Sequence, residues 1–292
     1  MTITQICRST RYLIERHILR RRYLVAKAKA GTEFAFCAPD AVGRYLYKHG
    51  TYETEVADYL FGIRPGNNSG WFVDVGANIG YYSVQMARRG FRVLAVEPDP
   101  VNCDLLNENI RRNDCITIRT VRAALSDTCG TQPFYRYPEK NLGRHSLLPI
   151  NQGEAINVPT RRLDSLLGEQ GIALEDIAII KIDIEGYEPL ALRGMEQTLR
   201  AASPVVVAEF SPGLMAAGGL EAKEYVQFMQ DLGYSAARLG DTGTRPITSN
   251  ALLATPCEQS LNLLWARDSQ VAASESNSYL LNTDIKPLCD VA

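Results

Sequence analysis

Residues 71–90 read WFVDVGANIGYYSVQMARRG and decide the fold class. The apolar run at its start is typical of a buried strand, and a helical pattern begins within a few residues of its end. Between them, Gly76 and Gly80 bound a turn in which a ligand can approach the main chain closely. Asp74, two residues before the first glycine, suits a ligand that bears a cation. The turn lacks the middle glycine of a dinucleotide fingerprint, so a pyrophosphate ligand is disfavoured.

Strands and helices alternate from this stretch onward. The predicted strands are residues 71–75, 91–97, 116–123, 177–183, 204–210, 234–239 and 261–267, and the predicted helices are 79–89, 100–113, 187–201 and 221–232. Short Val- and Ile-rich strands separated by helices indicate an α/β fold with a mostly parallel sheet and helices on both faces. Only loop-like sequence (240–260) separates the last two strands, which fits an antiparallel pair at one edge of the sheet.

The length of 292 residues allows one large α/β domain with appendages. We expect a basic helical segment and lead-in over residues 1–69, the α/β domain over 70–268 and a loose polar tail over 269–292. Residues 129–163 are punctuated by Pro, Gly and Asn. They are predicted to form an inserted hairpin or lid between the third and fourth core strands.

The composition is that of an ordinary globular protein, with 46% hydrophobic and 22% charged residues. No apolar run is long enough for a membrane-spanning helix, and the N-terminal sequence lacks the apolar region of a secretory signal. The seven cysteines form no CxxC pair and no Cys/His spacing typical of a metal site. We therefore expect reduced thiols, a cytoplasmic location and no bound metal.

Charge is distributed unevenly along the chain. Residues 1–30 hold eight Lys and Arg against one acid, Glu15, so this part carries +7 and the remainder −9 for a net charge of −2. Residues 8–29 are therefore compatible with weak contact to an anionic membrane surface, whereas no nucleic-acid partner is expected. On an α-helix, however, the apolar side chains of this segment spread around most of the circumference. That distribution favours a solvated, partly docked helix over an interfacial anchor.

Acidic residues stand at the ends of three predicted strands. Glu97 ends the second strand, 17 residues after Gly80, where an acid can accept hydrogen bonds from both hydroxyls of a ribose. In IAIIKIDIEGYEPL (177–190), strand alternation places Lys181 and Asp183 on one face. Charges in a central parallel strand are costly unless they are paired or functional, and Glu209 ends the next strand in the same way.

Six segments resemble one family in order and spacing. VDVGANIGYYS, AVEPDP, AALSD, TRRLDSLL, IIKIDIEGYEPLALRGM and PVVVAEFSP together are similar to the FkbM family of S-adenosylmethionine-dependent methyltransferases. The resemblance covers roughly residues 70–240 and implies the class I methyltransferase fold. This fold is a Rossmann-like seven-stranded sheet of order 3-2-1-4-5-7-6 with strand 7 antiparallel. It also implies O-methylation of a hydroxyl, on a sugar of a glycolipid or surface polysaccharide or on a polyketide-type metabolite.

The resemblance assigns candidate site residues by position. The S-adenosylmethionine site is expected to contain Asp74, Gly76, Asn78, Gly80, Ser83, Glu97, Leu125 and Ser126. The KxDxEGxE signature falls on Lys181, Asp183, Glu185 and Glu188, and Glu53 matches the lead-in.

Methyl transfer to a hydroxyl benefits from a base that removes the proton, and three residues are candidates for catalysis. Asp183 is the first candidate base, Glu209 is expected to orient the acceptor hydroxyl, and His145 in the inserted segment is placed to reach in from above. An Asp183–Glu209 pair that binds a divalent cation stays open as an alternative.

Two other classes of function remain open at this point. One is transfer to an amine, but the stretch after the fourth strand reads DIEGY and lacks the Asn/Asp-Pro-Pro-aromatic sequence typical of amino-group methyltransferases. The other is a non-catalytic cofactor-binding module of a glycan-assembly complex, against which the intact cofactor loop argues.

Overall fold

The structure is a computed structural model that describes residues 2–65, 70–137, 143–150, 153–240 and 243–267. The predicted tail (269–292) and the parts 138–142 and 151–152 of the predicted lid lie outside the described residues. No helix within the described ranges combines the length and the apolar character needed to cross a bilayer.

The N-terminal part combines helices with a β-hairpin. Its elements are α1 (Ile3–Leu13), a π-helical turn (Ile14–Ile18), β1 (Tyr23–Lys27), β2 (Glu33–Cys37), α2 (Ala41–His49) and α3 (Thr54–Gly62). β1 pairs antiparallel with β2, and its side chains alternate between exposed and buried. The prediction of a helical N-terminal segment is therefore wrong for residues 23–37, which form a β-hairpin: burial alternates with a period of two in β1, and β2 is buried almost throughout.

The α/β part begins at Trp71 and alternates as predicted. Its elements are β3 (Trp71–Val75), α4 (Tyr81–Ala87), β4 (Arg92–Val96), α5 (Pro100–Arg112), β5 (Ile118–Val121), β6 (Ala124–Leu125), β7 (Gly130–Tyr135), β8 (Ala155–Arg161), α6 (Leu163–Glu169), a 3₁₀ turn (Leu174–Asp176), β9 (Ile177–Ile182), α7 (Glu188–Arg193), α8 (Glu196–Ala202), β10 (Val205–Phe210), α9 (Pro212–Ala217), α10 (Ala222–Asp231), β11 (Ser235–Gly240), β12 (Gly243–Pro246), α11 (Ser249–Leu253) and β13 (Leu261–Ala266).

The main sheet has the strand order β12-β11-β13-β10-β9-β3-β4-β5. The strands from β10 to β5 pair in parallel, whereas β13 runs antiparallel to both β10 and β11. Seven strands were predicted and eight are present, because β12 pairs with β11 and extends the edge. All four residues of β12 are exposed, so its sequence carries no burial pattern from which a strand can be predicted.

The predicted helix over residues 187–201 is divided into α7 and α8. The break lies at Gly194 and Met195, which belong to neither helix. A Cβ atom at Gly194 would overlap the carbonyl oxygen of Ser126, so the chain passes very close to a neighbouring backbone here. The helical periodicity of the sequence does not reveal this contact, because it is made with a residue far away in the chain.

The two faces of the main sheet carry separate hydrophobic cores. On one face, Phe72 and Ile179 belong to a core that also contains Phe34 and Phe36 of the N-terminal hairpin. On the other face, alternate residues of the same strands belong to a core with helices α6 to α8 and α10. The N-terminal part therefore covers one face of the sheet and is packed into the same core.

Residues of the predicted lid build a second, smaller sheet. β8 pairs in parallel with β6 and antiparallel with β7. Phe134, Leu148 and Val158 are buried in a small core together with Tyr187. The described part of this segment thus packs against the main domain and lies over the carboxyl ends of its strands.

Candidate active site

Two clefts meet at the carboxyl ends of the parallel strands. With the adjoining solvent space included, the first measures about 500 Å³ and the second about 1020 Å³. Gly76, Asn78, Gly143 and Asp183 line both. Ligands of open α/β sheets bind at this end of the strands, so the two clefts are the candidate site.

The glycine loop after β3 forms the floor shared by both clefts. Gly76 and Gly80 adopt positive φ angles of 78° and 84°, and Asn78 follows with 51°. A Cβ atom at Gly76 would overlap the carbonyl oxygen of Asp183, so no other residue fits between the loop and the end of β9. The absence of a side chain at Gly76 was predicted to let a ligand approach the backbone. In the structure it also lets the loop pack closely against the end of β9.

Glu97 lies in the first cleft with a fixed orientation. One carboxylate oxygen accepts a hydrogen bond from the backbone N–H of Asn78 at 2.8 Å, and the other from that of Asp99 at 2.9 Å. Burial raises the pKa of Glu97 to about 7. The side chain of Asn102 also donates a hydrogen bond to this carboxylate, and the acceptor capacity that is left is free for a ribose hydroxyl.

The residues of the first cleft fit the adenosyl part of S-adenosylmethionine. Glu97 supplies an acid for the ribose, and Val96, Leu125, Phe134 and Tyr187 provide an apolar wall for a flat ring. The glycine loop leaves room along the main chain for the rest of the molecule.

Four predicted cofactor residues lie behind this surface, since the residues that line the clefts in the described chain do not include them. Ser83 donates a hydrogen bond to Asp74 at 2.6 Å beneath the loop. Gly80 is the N-cap of α4, and the hydroxyl of Ser126 lies 3.0 Å from that of Tyr187. In the structure these positions support the loop and the cleft wall.

The second cleft is lined by acids. Glu53, Asp183, Glu185 and Glu209 all face it, together with Lys181 and Arg144. Burial, with added repulsion from other carboxylates, raises the pKa of Glu53 and of Glu209 to about 7 and that of Glu185 to about 8. These groups therefore hold or release protons near neutral pH, as functional acids and bases often do.

Lys181 is buried at the base of this group of acids and contacts Asp183 and Tyr82. Its Nζ lies 3.1 Å from Oδ2 of Asp183 and 4.7 Å from the centre of the Tyr82 ring, while the Tyr82 hydroxyl donates to Glu53 at 2.8 Å. Burial lowers the pKa of Lys181, but Asp183, Glu53 and Asp74 outweigh it and the net pKa is raised. Lys181 is therefore a buried cation that orients Asp183.

Glu209 retains an unused acceptor. Its Oε2 atom is buried and makes no hydrogen bond within the described structure, although the side chain lines the second cleft. Asp183 and Glu209 are thus both brought to one cavity, as predicted. Among the described residues, no group of three or more His, Cys, Asp or Glu side chains is arranged to hold a metal ion.

His145 does not join these acids. It lines the first cleft, where its Nδ1 accepts a hydrogen bond from the backbone N–H of Tyr137 at 2.8 Å. Burial lowers its pKa to about 4. The neutral ring then carries its proton on Nε2 and has no free lone pair, so this geometry does not favour His145 as a base.

Several residues of the second cleft were not predicted from the sequence. They include Tyr52, Tyr82, Arg144 and Ser260, which come from four distant parts of the chain. None stands at the carboxyl end of a core strand, and that position was the signal that identified Glu97, Asp183 and Glu209.

Comparisons with known proteins agree with this arrangement. The family described as the methyltransferase FkbM domain matches residues 74–236, more than half of the chain. Methyltransferase sdnD of Sordaria araneosa is 28% identical over 178 residues, which cover 50% of this chain and 68% of that protein. Hexuronic acid methyltransferase AglP of Haloferax volcanii is 29% identical over 134 residues, which cover 46% of this chain and only 53% of AglP.

Solved structures are similar at a lower level. The crystal structure of Methyltransferase FkbM from Methylobacillus flagellatus KT has a TM-score of 0.43 and 17% identity, with coverage of 68% of this chain and 44% of that one. On the family match and the sequence relatives, the chain belongs to the FkbM methyltransferase family and is a methyltransferase with S-adenosylmethionine as its cofactor.

Proposed function

We propose that the chain transfers the methyl group of S-adenosylmethionine to a hydroxyl group of a neutral sugar in a glycolipid or surface polysaccharide. The observation that supports this most is the acid-lined second cleft, which joins the first cleft at Asp183. A cavity rich in hydrogen-bond acceptors suits an acceptor molecule rich in hydroxyl groups.

The first cleft is assigned to the cofactor. When bound, S-adenosylmethionine supplies an electrophilic methyl group on its sulfonium. Glu97 accepts hydrogen bonds from the ribose hydroxyls, and Leu125 with Phe134 and Tyr187 encloses the adenine ring. Gly76 and Asn78 form the loop along which the remainder of the molecule lies.

Asp183 is the proposed base because it lines both clefts. The ammonium group of Lys181 holds one of its carboxylate oxygens, which leaves the other to accept the proton of the acceptor hydroxyl. The unused oxygen of Glu209 accepts a second hydrogen bond from the acceptor and orients it. Orientation and proton removal are the two contributions that the protein makes to such a reaction.

The charge of the second cleft favours a neutral sugar over an acidic one. Four acidic side chains face the cavity against Lys181 and Arg144, and the Arg144 guanidinium is 3.9 Å from Glu185. The raised pKa values of Glu53, Glu185 and Glu209 show that this cavity already disfavours further negative charge. The carboxylate of an acidic sugar would add negative charge to this cavity, so it would be repelled or would bind together with a further proton. The relative AglP is named for hexuronic acid, and we propose a different acceptor class for this chain.

A polyketide-type or other apolar metabolite remains the second candidate acceptor. It is less well supported, because it would leave most of the acids in the second cleft without a hydrogen-bond partner. Residues 129–163 are proposed to close the site from above and to contribute to acceptor selection. They supply Phe134, His145, Ser146 and Leu147 to the first cleft and Arg144 to the second.

A panel of simple glycosides tests the proposal. The protein is incubated with S-adenosylmethionine and with neutral hexosides, 6-deoxyhexosides or hexuronosides, and products with one added methyl group are detected by mass spectrometry. We expect methyl transfer to one or more neutral sugars and little to the hexuronosides. Preferential methylation of a hexuronoside, or of a sugar-free polyketide, would contradict the proposed acceptor.

A further inference from the structure

Exposed apolar side chains are concentrated in the N-terminal part of the molecule. Ten large hydrophobic side chains are exposed in the described chain, and eight of them precede residue 46. They form what we call the N-terminal apolar patch: Ile6, Leu13, Ile14, Ile18, Leu19, Tyr23, Val25 and Tyr45. Single exposed apolar residues are common, but such a concentration marks an interaction surface.

The π-helical turn gathers four of these residues on one side. Leu19 N–H donates to the carbonyl oxygen of Ile14 at 2.9 Å, which is the i→i+5 hydrogen bond of a π-helix. With this wider turn, residues four and five positions apart lie one above the other. Leu13 and Ile14 are thus neighbours of Ile18 and Leu19, whereas α-helical geometry would spread the four around the helix.

The opposite side of the turn is docked on the protein. Tyr12 is 2% exposed, and its hydroxyl donates a hydrogen bond to the carbonyl oxygen of Ala38. Glu15 is 8% exposed and accepts a hydrogen bond from Tyr47 at 3.0 Å. Because these residues fix the inward face, Leu13, Ile14, Ile18 and Leu19 are held outward.

Positive charge surrounds the patch. The only acid among residues 1–30 is Glu15, which is buried and is paired with Arg11 at 3.2 Å and Arg21 at 3.6 Å. Arg20, Arg21 and Arg22 are exposed and directly follow Leu19. The rest of the chain carries the opposite net charge, so this is the part of the molecule that an anionic surface attracts.

We infer that the N-terminal apolar patch docks on the surface of an anionic lipid bilayer. The apolar side chains enter the boundary between headgroups and acyl chains, and the neighbouring arginines contact anionic headgroups. This surface lies outside both clefts, so the inference does not rest on the proposed function.

Vesicle binding of the full chain tests this directly. The protein is sedimented with vesicles of phosphatidylcholine alone and with vesicles that contain equal amounts of phosphatidylcholine and phosphatidylglycerol. We expect about ten-fold stronger binding to the anionic vesicles at low salt, and weaker binding as salt is added. Binding that is absent, or equal for both compositions, overturns the inference.

Matched variants distinguish binding through the N-terminal apolar patch from nonspecific hydrophobic adsorption to vesicles. Ile18→Ser with Leu19→Ser, and separately Arg20→Gln with Arg22→Gln, should each weaken binding to anionic vesicles about ten-fold. Ile116→Ser with Leu253→Ser removes two exposed apolar side chains elsewhere and should leave binding unchanged. Unchanged cofactor affinity and melting temperature establish that each variant is folded.

Two outcomes of the variant series contradict the inference. One is equal loss of binding in the Ile116/Leu253 control. The other is concentration-dependent self-association that the Ile18/Leu19 variant abolishes, in the absence of vesicle binding, because the patch would then be an interface between copies of the chain. Both are independent of methyl transfer, so they leave the proposed function untouched.

Discussion

At the residue scale, Asp183 combines a structural role with a proposed catalytic one. It pairs with the buried Lys181, and it lines the junction of the two clefts. Asp183→Asn keeps the shape of the side chain but removes the proton acceptor. We expect kcat with a neutral sugar acceptor to fall by about 10²-fold or more, while cofactor affinity changes little.

The melting temperature of the same preparation of Asp183→Asn separates the two roles. Some loss of stability is expected, because Lys181 then relies on Glu53 and Asp74 alone for compensation. A folded Asp183→Asn protein with near-normal kcat would show that Asp183 serves only Lys181, and the role of base would pass to Glu209.

His145 provides a second test at this scale. His145→Asn keeps an oxygen where Nδ1 accepts the hydrogen bond from Tyr137, but it removes the rest of the ring from the first cleft. We expect weaker cofactor binding with kcat changed only a few-fold, because a neutral histidine with both ring nitrogens engaged or protonated does not act as a base. A loss of kcat as large as that expected for Asp183→Asn would restore the catalytic role.

The acids of the site were predictable, whereas their surroundings were not. Glu97, Asp183 and Glu209 stand at the ends of apolar runs, and the carboxyl ends of parallel strands meet at one edge of a sheet. Tyr82 and Ser260 have no such signal, since only the folded chain brings them beside Asp183. The protonation and hydrogen bonding of His145 likewise depend on burial that a loop sequence does not reveal.

At the scale of elements, the segment 129–163 is more than a cover. Phe134 is 4% exposed and belongs to the small core around Tyr187, so part of the segment contributes to stability. Phe134→Ala should destabilise the protein by about 3–5 kcal/mol in urea unfolding, and it should also weaken cofactor binding. A change below about 1 kcal/mol would show that the segment contributes little to stability and only covers the site.

Elements with a strong hydrophobic pattern were predicted well, and elements defined by contacts were not. Buried strands such as β3 and β9 are recognised by short runs that are apolar except for one charged residue each. β12 is exposed throughout and exists through pairing with β11, and the π-helical turn differs from an α-helix by only one position in its hydrogen bonds. Neither feature has a signature in a hydrophobicity pattern.

At the scale of the whole molecule, the cluster of acids links stability to pH. Burial raises the pKa of Glu185 from its ordinary value of 4.5 to about 8, so the folded state binds a proton more tightly than the unfolded state. This contribution to stability is present at low pH and is lost as pH rises from about 5 to about 8. Glu185→Gln has no carboxyl group to titrate at this position, so its stability lacks this loss with rising pH. We therefore expect the stability of the variant to increase relative to that of the parent protein as pH rises across that range.

Urea unfolding at several pH values measures this effect, with Glu175→Gln on the exposed 3₁₀ turn as the matched control. The control removes an exposed carboxylate that does not line the second cleft, so the loss of stability that the parent protein shows with rising pH should persist in it. A Glu185→Gln curve that also runs parallel to the parent curve would show that Glu185 has an ordinary pKa.

The central claim is that the first cleft binds S-adenosylmethionine through Glu97. Calorimetric titration of S-adenosylmethionine into the folded parent protein, Glu97→Ala and the exposed control Glu175→Ala tests it without any knowledge of the acceptor. Glu97→Ala removes charge-assisted hydrogen bonds that contribute about 1.5–3 kcal/mol. We therefore expect the Kd of Glu97→Ala to be about ten- to a hundred-fold higher than that of the parent protein. The Kd of the control should not change. An unchanged Kd in a folded Glu97→Ala protein would contradict the account.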